Sequence, residues 1–324
     1  MIRNIMNRFV VLVAVVLFTA PAMAAPQFLT IAGGPVGGEW YILAGTIAEL
    51  VKQVLPETKV NVTTGGGIAN LTSVQRGKVD LATTQDQLLF AARERIGAFS
   101  ELEAHDDVMG LCYLSEIYMG VFLVREGFEV NSIAEIAEKK IPIRILTSPK
   151  ASTPSLATDR MLAEYGVTPE KLREWGGNIN YVSYQEVSSL IADGHADAYC
   201  GPIMPAIIEL SVVRRLKVLP VDEEILKSLN KKYKYGLSVI PKGVYYFIPE
   251  DTKVFTETPI LIVNRKMDEE TAYLITKIIT ENPDRIAEAG ATYKNFTPEK
   301  MPNIVGGPIH PGALKYYKGK GWIK

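Results

Sequence analysis

Five short segments carry the residue types best suited to holding a small charged molecule. They are Gly37-Gly38-Glu39-Trp40-Tyr41, Thr64-Gly65-Gly66-Gly67, Thr83-Thr84-Gln85-Asp86, Ser148 to Ser155, and Tyr199-Cys200-Gly201-Pro202. Four of them lead from an apolar run into a stretch of helical periodicity, and the fifth closes a strand with the same kind of turn. A helix N-terminus presents N–H groups without intrahelical partners and a partial positive charge, so it holds an anion without a full cation. The glycines, Gly38 and Gly66 among them, let the main chain approach a ligand closely. Gln85, Ser148, Ser152 and Thr153 add side chains that donate, accept or cap. Thr153 is the expected N-cap of a helix whose first position is Pro154. Any α/β protein needs Gly, Ser, Thr and Pro at its turns. Five such turns, carrying Trp40, Tyr41 and Tyr199, favour a site.

Single residues leave two roles open. Asp86 and Glu39 are able to receive a ligand ammonium group, or to serve as helix cap and first-turn dipole partner. Trp40 and Tyr41 either stack on a ligand or, for Trp40, anchor a helix to the core. Lys150 pairs with a ligand carboxylate or stays a solvated loop lysine. His105, His195 and His310 have no second ligand at metal spacing. Gly33 to Gly38 does not match a dinucleotide fingerprint, and no Walker lysine follows Gly67. No cofactor or metal is expected.

The elements that position these turns alternate short apolar strands with amphipathic helices, the pattern of α/β layers over parallel sheets. Strands are predicted at 28–32, 59–63 and 79–83, with helices at 41–55, 67–76 and 85–93. The second half repeats the pattern: strands at 120–124, 143–147, 181–183 and 198–200, and helices at 132–138, 154–165 and 186–192. Further strands are expected at 237–239 and 259–263, and a helix at 269–281.

Residues 1–24 read as a signal peptide, with Arg3 and Arg8, an apolar stretch from Phe9 to Ala20, and Ala22-Met23-Ala24 before a cleavage point at Ala25. That apolar stretch is shorter than the roughly 20 residues a membrane span requires. Removing Arg3 and Arg8 from the 35 basic side chains leaves 33 against 36 acidic ones, a balance that argues against nucleic acid. The remaining length suits two domains. Cys112 and Cys200 are the only cysteines and are expected as buried thiols.

Four segments resemble the TAXI-type extracytoplasmic solute receptors, the binding subunits of one branch of TRAP transporters. They are Ile31 to Leu43 (IAGGPVGGEWYIL), Val62 to Asn70 (VTTGGGIAN), Gly77 to Asp86 (GKVDLATTQD) and Pro308 to Tyr317 (PIHPGALKYY). The resemblance implies a hinge-connected, two-lobed α/β fold of the periplasmic binding protein kind (type II-like), with mixed sheets flanked by helices. It places lobe I at 25–118 and 262–324 and lobe II at 119–261. Carried over by position, Gly38, Tyr41, Thr64, Gly66, Asn70, Gln85 and Asp86 would line the first lobe. Ser148, Ser152, Thr153 and the turn Tyr199, Gly201 and Pro202 would line the second. Glu39-Trp40 stands where the family more often has Thr-Tyr, and Ser148-Pro149-Lys150-Ala151-Ser152-Thr153 replaces a simpler Gly/Ser run, so specificity is where this chain departs.

The expected function is capture of a small anionic or zwitterionic solute in the periplasm, glutamate or a related dicarboxylate foremost, by a monomer that delivers it to TRAP membrane subunits. Two rivals use the same scaffold. One is a dehydratase or lyase, which would need an acid/base pair drawn from Asp86 or Glu39. The other is a sensory receptor reporting ligand state to a kinase.

Overall fold

A computed structural model of the chain describes residues 26–150 and 152–324. The signal peptide expected at 1–24 lies outside the described residues, as does Ala151 of the 148–155 turn. The first half runs β1 (Phe28–Ala32), α1 (Glu39–Val54), β2 (Lys59–Thr63), α2 (Gly67–Gln75), β3 (Leu81–Gln85), α3 (Asp86–Arg93) and β4 (Val108–Tyr113). After a short β5 (Ile117–Met119) come β6 (Val121–Arg125), α4 (Ile133–Glu138), β7 (Arg144–Thr147), α5 (Thr153–Glu164) and α6 (Pro169–Glu174). The chain continues through β8 (Asn178–Tyr181), α7 (Tyr184–Ala192), β9 (Ala198–Gly201), α8 (Pro205–Val213), β10 (Leu216–Leu219) and α9 (Glu223–Tyr233). It ends with β11 (Gly236–Ile240), β12 (Thr252–Glu257), β13 (Pro259–Asn264), α10 (Glu269–Thr280), α11 (Pro283–Glu288) and α12 (Pro311–Gly319).

Two five-stranded sheets carry the two lobes. The first has the order β2-β1-β3-β13-β4 and the second β10-β6-β9-β7-β8. Read from β8, the second sheet repeats the first. Three parallel strands come first (β2-β1-β3, β8-β7-β9), followed in each by a strand running the other way, β13 or β6. A small sheet, β11-β12-β5, packs its Met119 and Phe255 into the core beneath the second sheet. The chain leaves the first sheet at residues 114–116, entering β5 of the small sheet, and returns to it from β12 at Thr258. These crossings touch, since Leu114 N–H donates to the Pro259 carbonyl at 2.9 Å.

The first core forms because α1 repeats apolar residues at helical spacing. Leu43, Ala44, Ile47, Leu50 and Val51 are buried against Ile31, Leu111 and Leu261, and Pro56 soon follows the end of the helix. Ile42, which shares that periodicity, instead faces out, 48% exposed. Segment 308–317 docks on the first sheet's outer strand: Gly110 N–H donates to Pro308 O at 2.8 Å, and Tyr317 Oη donates to Leu111 O at 2.6 Å. His310 caps α12, its Nδ1 accepting from Gly312 N–H at 3.3 Å. Cys112 and Cys200 are buried and unbonded, one in each sheet.

Candidate functional site

In both sheets the carboxyl ends of the three parallel strands lie on one edge and lead into helices. At the first mouth, β1 gives way to Gly33–Gly38 and α1, β2 to Thr64–Gly66 and α2, and β3 directly to α3. At the second, β7 leads to Ser148–Ser152 and α5, β8 to Ser183 and α7, and β9 to Pro202–Met204 and α8. Two open hollows, of about 410 Å³ beside Asp80 and Asn264 and about 870 Å³ beside Arg125 and Lys217, sit at the opposite edges. The mouths themselves meet through side chains.

The meeting point is a chain of three groups. Gln85 Nε2, at the end of β3, donates to Thr153 Oγ1 at 3.1 Å. Thr153 Oγ1, at the start of α5, donates to Glu257 Oε2 at 2.9 Å. Glu257 ends β12, next to the return crossing, and is 1% exposed. Among the described residues, its other oxygen, Oε1, has no partner of good hydrogen-bond geometry, nor do Gln85 Oε1 or either end of the Gln87 amide. Burial lifts the Glu257 carboxyl to about 7, against the opposing pull of the Thr153 hydroxyl, the Arg160 guanidinium and Gln87. Gln85 is free to reach across because it heads α3 without capping it. Space for its carbonyl comes from Gly67, where a Cβ would lie 2.8 Å from Gln85 Oε1. Beside this chain, Ser148 Oγ and Tyr184 Oη are hydrogen-bonded at 3.1 Å.

Sequence reasoning places β3 two residues early. Asp80 is engaged outside the strand by accepting from Thr30 N–H at 2.8 Å, and pairing with β13 carries β3 on to Gln85, opposite Pro259. That register sets Gln85 at the mouth. Ser152, and not Thr153, caps α5. The Ser152 hydroxyl accepts from Ser155 N–H at 3.3 Å, which leaves the Thr153 hydroxyl free for Gln85 and Glu257.

Several residues expected to line the cleft have hydrogen-bond or packing partners within the protein. Asn70, 1% exposed, donates to Gly33 O at 2.9 Å and Thr83 O at 2.7 Å and accepts from Gly66 N–H at 3.2 Å. It ties all three first-lobe turns together. Both Asp86 oxygens accept from the C-terminal loop, from Val305 N–H at 2.8 Å and Gly306 N–H at 2.7 Å. Burial lifts the Asp86 carboxyl to about 6, with those two N–H groups pulling it down. Tyr199 is wholly buried and donates to Pro202 O at 2.8 Å. Trp40 packs against the first core, and Glu39 accepts from Ala291 N–H at 2.7 Å. Gly38, Tyr41, Thr64, Gly66 and Ser152 remain partly or fully exposed at the mouths, whereas Ser148, Gly201 and Pro202 are buried there. Lys150 is exposed, its Nζ 5.8 Å from the centre of the Tyr181 ring.

Glu257, Gln87 and Tyr184 are the members of the cluster that sequence reasoning passes over. Glu257 had a signal: a lone carboxylate in Val254-Phe255-Thr256-Glu257-Thr258-Pro259-Ile260, where every neighbour suits a buried strand. Gln87 and Tyr184 had none.

Two α/β lobes of matching strand order, with the mouths of their sheets facing one another, define the architecture of the two-lobed periplasmic binding proteins. The fold is similar to that of a TctC solute binding protein from Polaromonas, at 16% identity and a TM-score of 0.55 over 91% of this chain and 98% of that one. It is similar also to MatC from Rhodopseudomonas palustris with bound malate, at 10% identity and a TM-score of 0.51 over 92% and 98%. The chain belongs to the NMT1-like family, whose model matches residues 31–321. Among the described residues no helix is long and apolar enough to cross a membrane.

Proposed function

We propose that the protein is a periplasmic solute receptor of the TAXI type, which captures a small carboxylate or amino acid between its lobes and passes it to TRAP membrane subunits. Glutamate or a related dicarboxylate is the first solute to test. The division into lobe I (25–118 with 262–324) and lobe II (119–261) goes with this reading, and the sheet crossings at 114–116 and Thr258 lie within a few residues of it. The observation that carries the proposal is the chain Gln85–Thr153–Glu257. It joins the mouth of one sheet to the mouth of the other through polar groups, two of which retain unfilled hydrogen-bonding capacity. A structural interface between lobes would have no reason to leave buried acceptors unfilled, because each costs about 1–3 kcal/mol.

Around that chain the first lobe offers N–H groups at the starts of α1 and α2, capped by no side chain, and the second offers the hydroxyls of Ser148, Thr153 and Tyr184. Ligand carboxylates fit the former through charge-assisted hydrogen bonds worth about 1.5–3 kcal/mol each. A ligand that touches both lobes only when they approach shifts the population toward the closed form, which is the form a transporter would recognise.

A thermal-shift screen of amino acids and di- and tricarboxylates tests this directly. A true ligand at a hundred times its dissociation constant adds about 2.7 kcal/mol of stability. Recovery of that ligand unchanged after incubation is the expected result, and its conversion would select the enzyme reading. Silence across all three classes would remove the proposed solute class.

A further inference from the structure

Among the buried atoms left without a partner, four lie around the Glu257 carboxyl and the start of α3, Glu257 Oε1, Gln85 Oε1 and the two ends of the Gln87 amide, and these four share an imbalance. Three are oxygens that accept, and the one spare donor is a single amide nitrogen. The carboxyl of Glu257 is covered from both lobes: by Gln85 and Gln87 at the start of α3, and by Thr153 and Arg160 of α5. The other groups facing it are neutral phenols. Tyr235, between α9 and β11, receives the Arg160 guanidinium at 3.0 Å, and Tyr184 of α7 bonds Ser148. Across the ladder on β5 lies Ile117, which is apolar. Arg160 is the one cation near the carboxylate, and its guanidinium is engaged by that tyrosine hydroxyl and stacked 4.3 Å over Tyr233. With the lobes already in contact through Gln85 and Thr153, Oε1 faces no well-placed donor among the described residues, so a proton on the carboxyl itself would complete the pairing.

We propose that Glu257 is a positioning residue that takes up one proton from solvent as the lobes close, its O–H then donating to a glutamine amide oxygen of the opposite lobe while Oε2 continues to hold Thr153. The inference rests on the solute-receptor reading, since it describes how closure of that same cleft is regulated. Apart, the lobes leave the carboxylate hydrated. Together, they remove that water and return only the Thr153 hydroxyl on Oε2 and a poorly placed Gln87 amide, so burial outweighs both and favours the neutral acid. The position of about 7 for this carboxyl places the change in the neutral range. Acid therefore favours closure, and a solute whose binding requires closure draws a proton in with it.

The test needs no ligand. Spin labels on Lys52→Cys of α1 and Lys171→Cys of α6, both exposed positions, report the distance between lobes, and the buried Cys112 and Cys200 stay unlabelled. The protonated fraction of a group with its midpoint near 7 rises from about a tenth to about nine tenths between roughly pH 8 and pH 6. The short-distance population should rise with it, severalfold, in the ligand-free protein. Glu257→Gln should hold the short distance at both pH values. A carboxyl infrared band titrating over the same range in the unsubstituted protein gives a second readout should that variant fail to fold. A distance that ignores pH, or a pH response that survives in Glu257→Gln, overturns the proposal. Failure of the receptor reading would look different: the distance would still follow pH, while no solute in the stability screen had any effect.

Discussion

At the mouth of the first sheet, helices α1, α2 and α3 begin at Gly38, Gly66 and Gln85, none of which caps its helix with a side chain. At the mouth of the second, α5 and α7 begin at Ser152 and Ser183, and both serines do cap. Ser183 goes further, forming a capping box in which Glu186 accepts from the Ser183 N–H at 2.8 Å. The two lobes share a strand order, so the contrast is not imposed by topology. It reflects how each spends its polar side chains. The second lobe caps two of its three helix starts at the mouth, α8 at Met204 having no side-chain cap, and keeps the hydroxyls of Ser148, Thr153 and Tyr184 there. The first fastens its turns to one another through Asn70 and leaves helix N–H groups at α1 and α2 without side-chain partners. On the proposed reading, the first lobe receives a negative charge and the second closes over it.

The largest test of that contrast is Asn70→Ala. Removing the amide strips two buried carbonyls, Gly33 O and Thr83 O, of their donor and should cost about 3 kcal/mol or more in a denaturant titration. A loss under about 1 kcal/mol would mean the turns hold without it, leaving the amide available to a ligand.

Next comes the pH dependence of stability. The Asp86 carboxyl is raised by burial from 3.8 to about 6, so the folded state binds its proton more tightly than the unfolded chain does. The sign follows. Its contribution is fully present below about pH 4 and is lost as the pH rises through 6, a change on the order of 3 kcal/mol for a shift of roughly two units. Glu257 acts in the same direction up to about 7. Asp197 behaves oppositely: burial pushes it up, but bonds from Arg144 and Arg125 prevail and hold it below the usual range. Its stabilisation disappears only in stronger acid. Chemical denaturation should accordingly find the fold more stable at pH 5 than at pH 7.5. The reverse order would mean that the Val305 and Gly306 N–H groups outweigh burial at Asp86.

The third test separates two neighbours that sequence reasoning treated as a pair. Thr153→Val keeps the shape of the side chain and removes the link between Gln85 and Glu257. Solute affinity should fall about tenfold, and stability by about 1–3 kcal/mol because Gln85 Nε2 and Glu257 Oε2 lose their partner. Ser152→Ala should cost about 1 kcal/mol of stability through the lost cap while affinity stays put. Equal effects on binding would erase the distinction between a capping serine and a threonine that links the two mouths.

Much of this molecule is readable from sequence because its elements are local. Periodicity over 41–55 and the Gly and Pro punctuation after each strand reflect contacts within a few residues, and the predicted helices α1, α3, α5 and α7 fall within a few residues of place. Strand β4 is different. Val108-Met109-Gly110-Leu111-Cys112-Tyr113 is buried throughout and so has no alternation to read, and its partner β13 lies some 150 residues away. The site follows the same division. Turns show where ligand-facing groups are able to sit, and all five lie at the carboxyl ends of the parallel strands. Which side chains stay free depends on distant partners: Asp86 is claimed by residues 305 and 306, Glu39 by residue 291, while Glu257 arrives from the far end of the second lobe. No local pattern around Asp86 or Asn70 distinguishes a ligand contact from a brace.

The smallest expected effect concerns Lys150, the one cation in the second-lobe turn. It has an exposed side chain resting near the face of Tyr181, whose hydroxyl donates to Asp159 at 2.7 Å, and the same lysine lies close enough to pull the Asp159 carboxyl down against its burial. A cation so placed already has a carboxylate and a ring for company, and water for the remainder. Lys150→Ala should therefore weaken solute binding by no more than about threefold, an effect that added salt would remove along with the surface charge. If the lysine instead reached a ligand carboxylate in the closed form, the loss would exceed tenfold and persist at high salt. That result would move the recognition of negative charge from the helix ends of the first lobe to a side chain of the second, and the division of labour between the lobes would have to be redrawn.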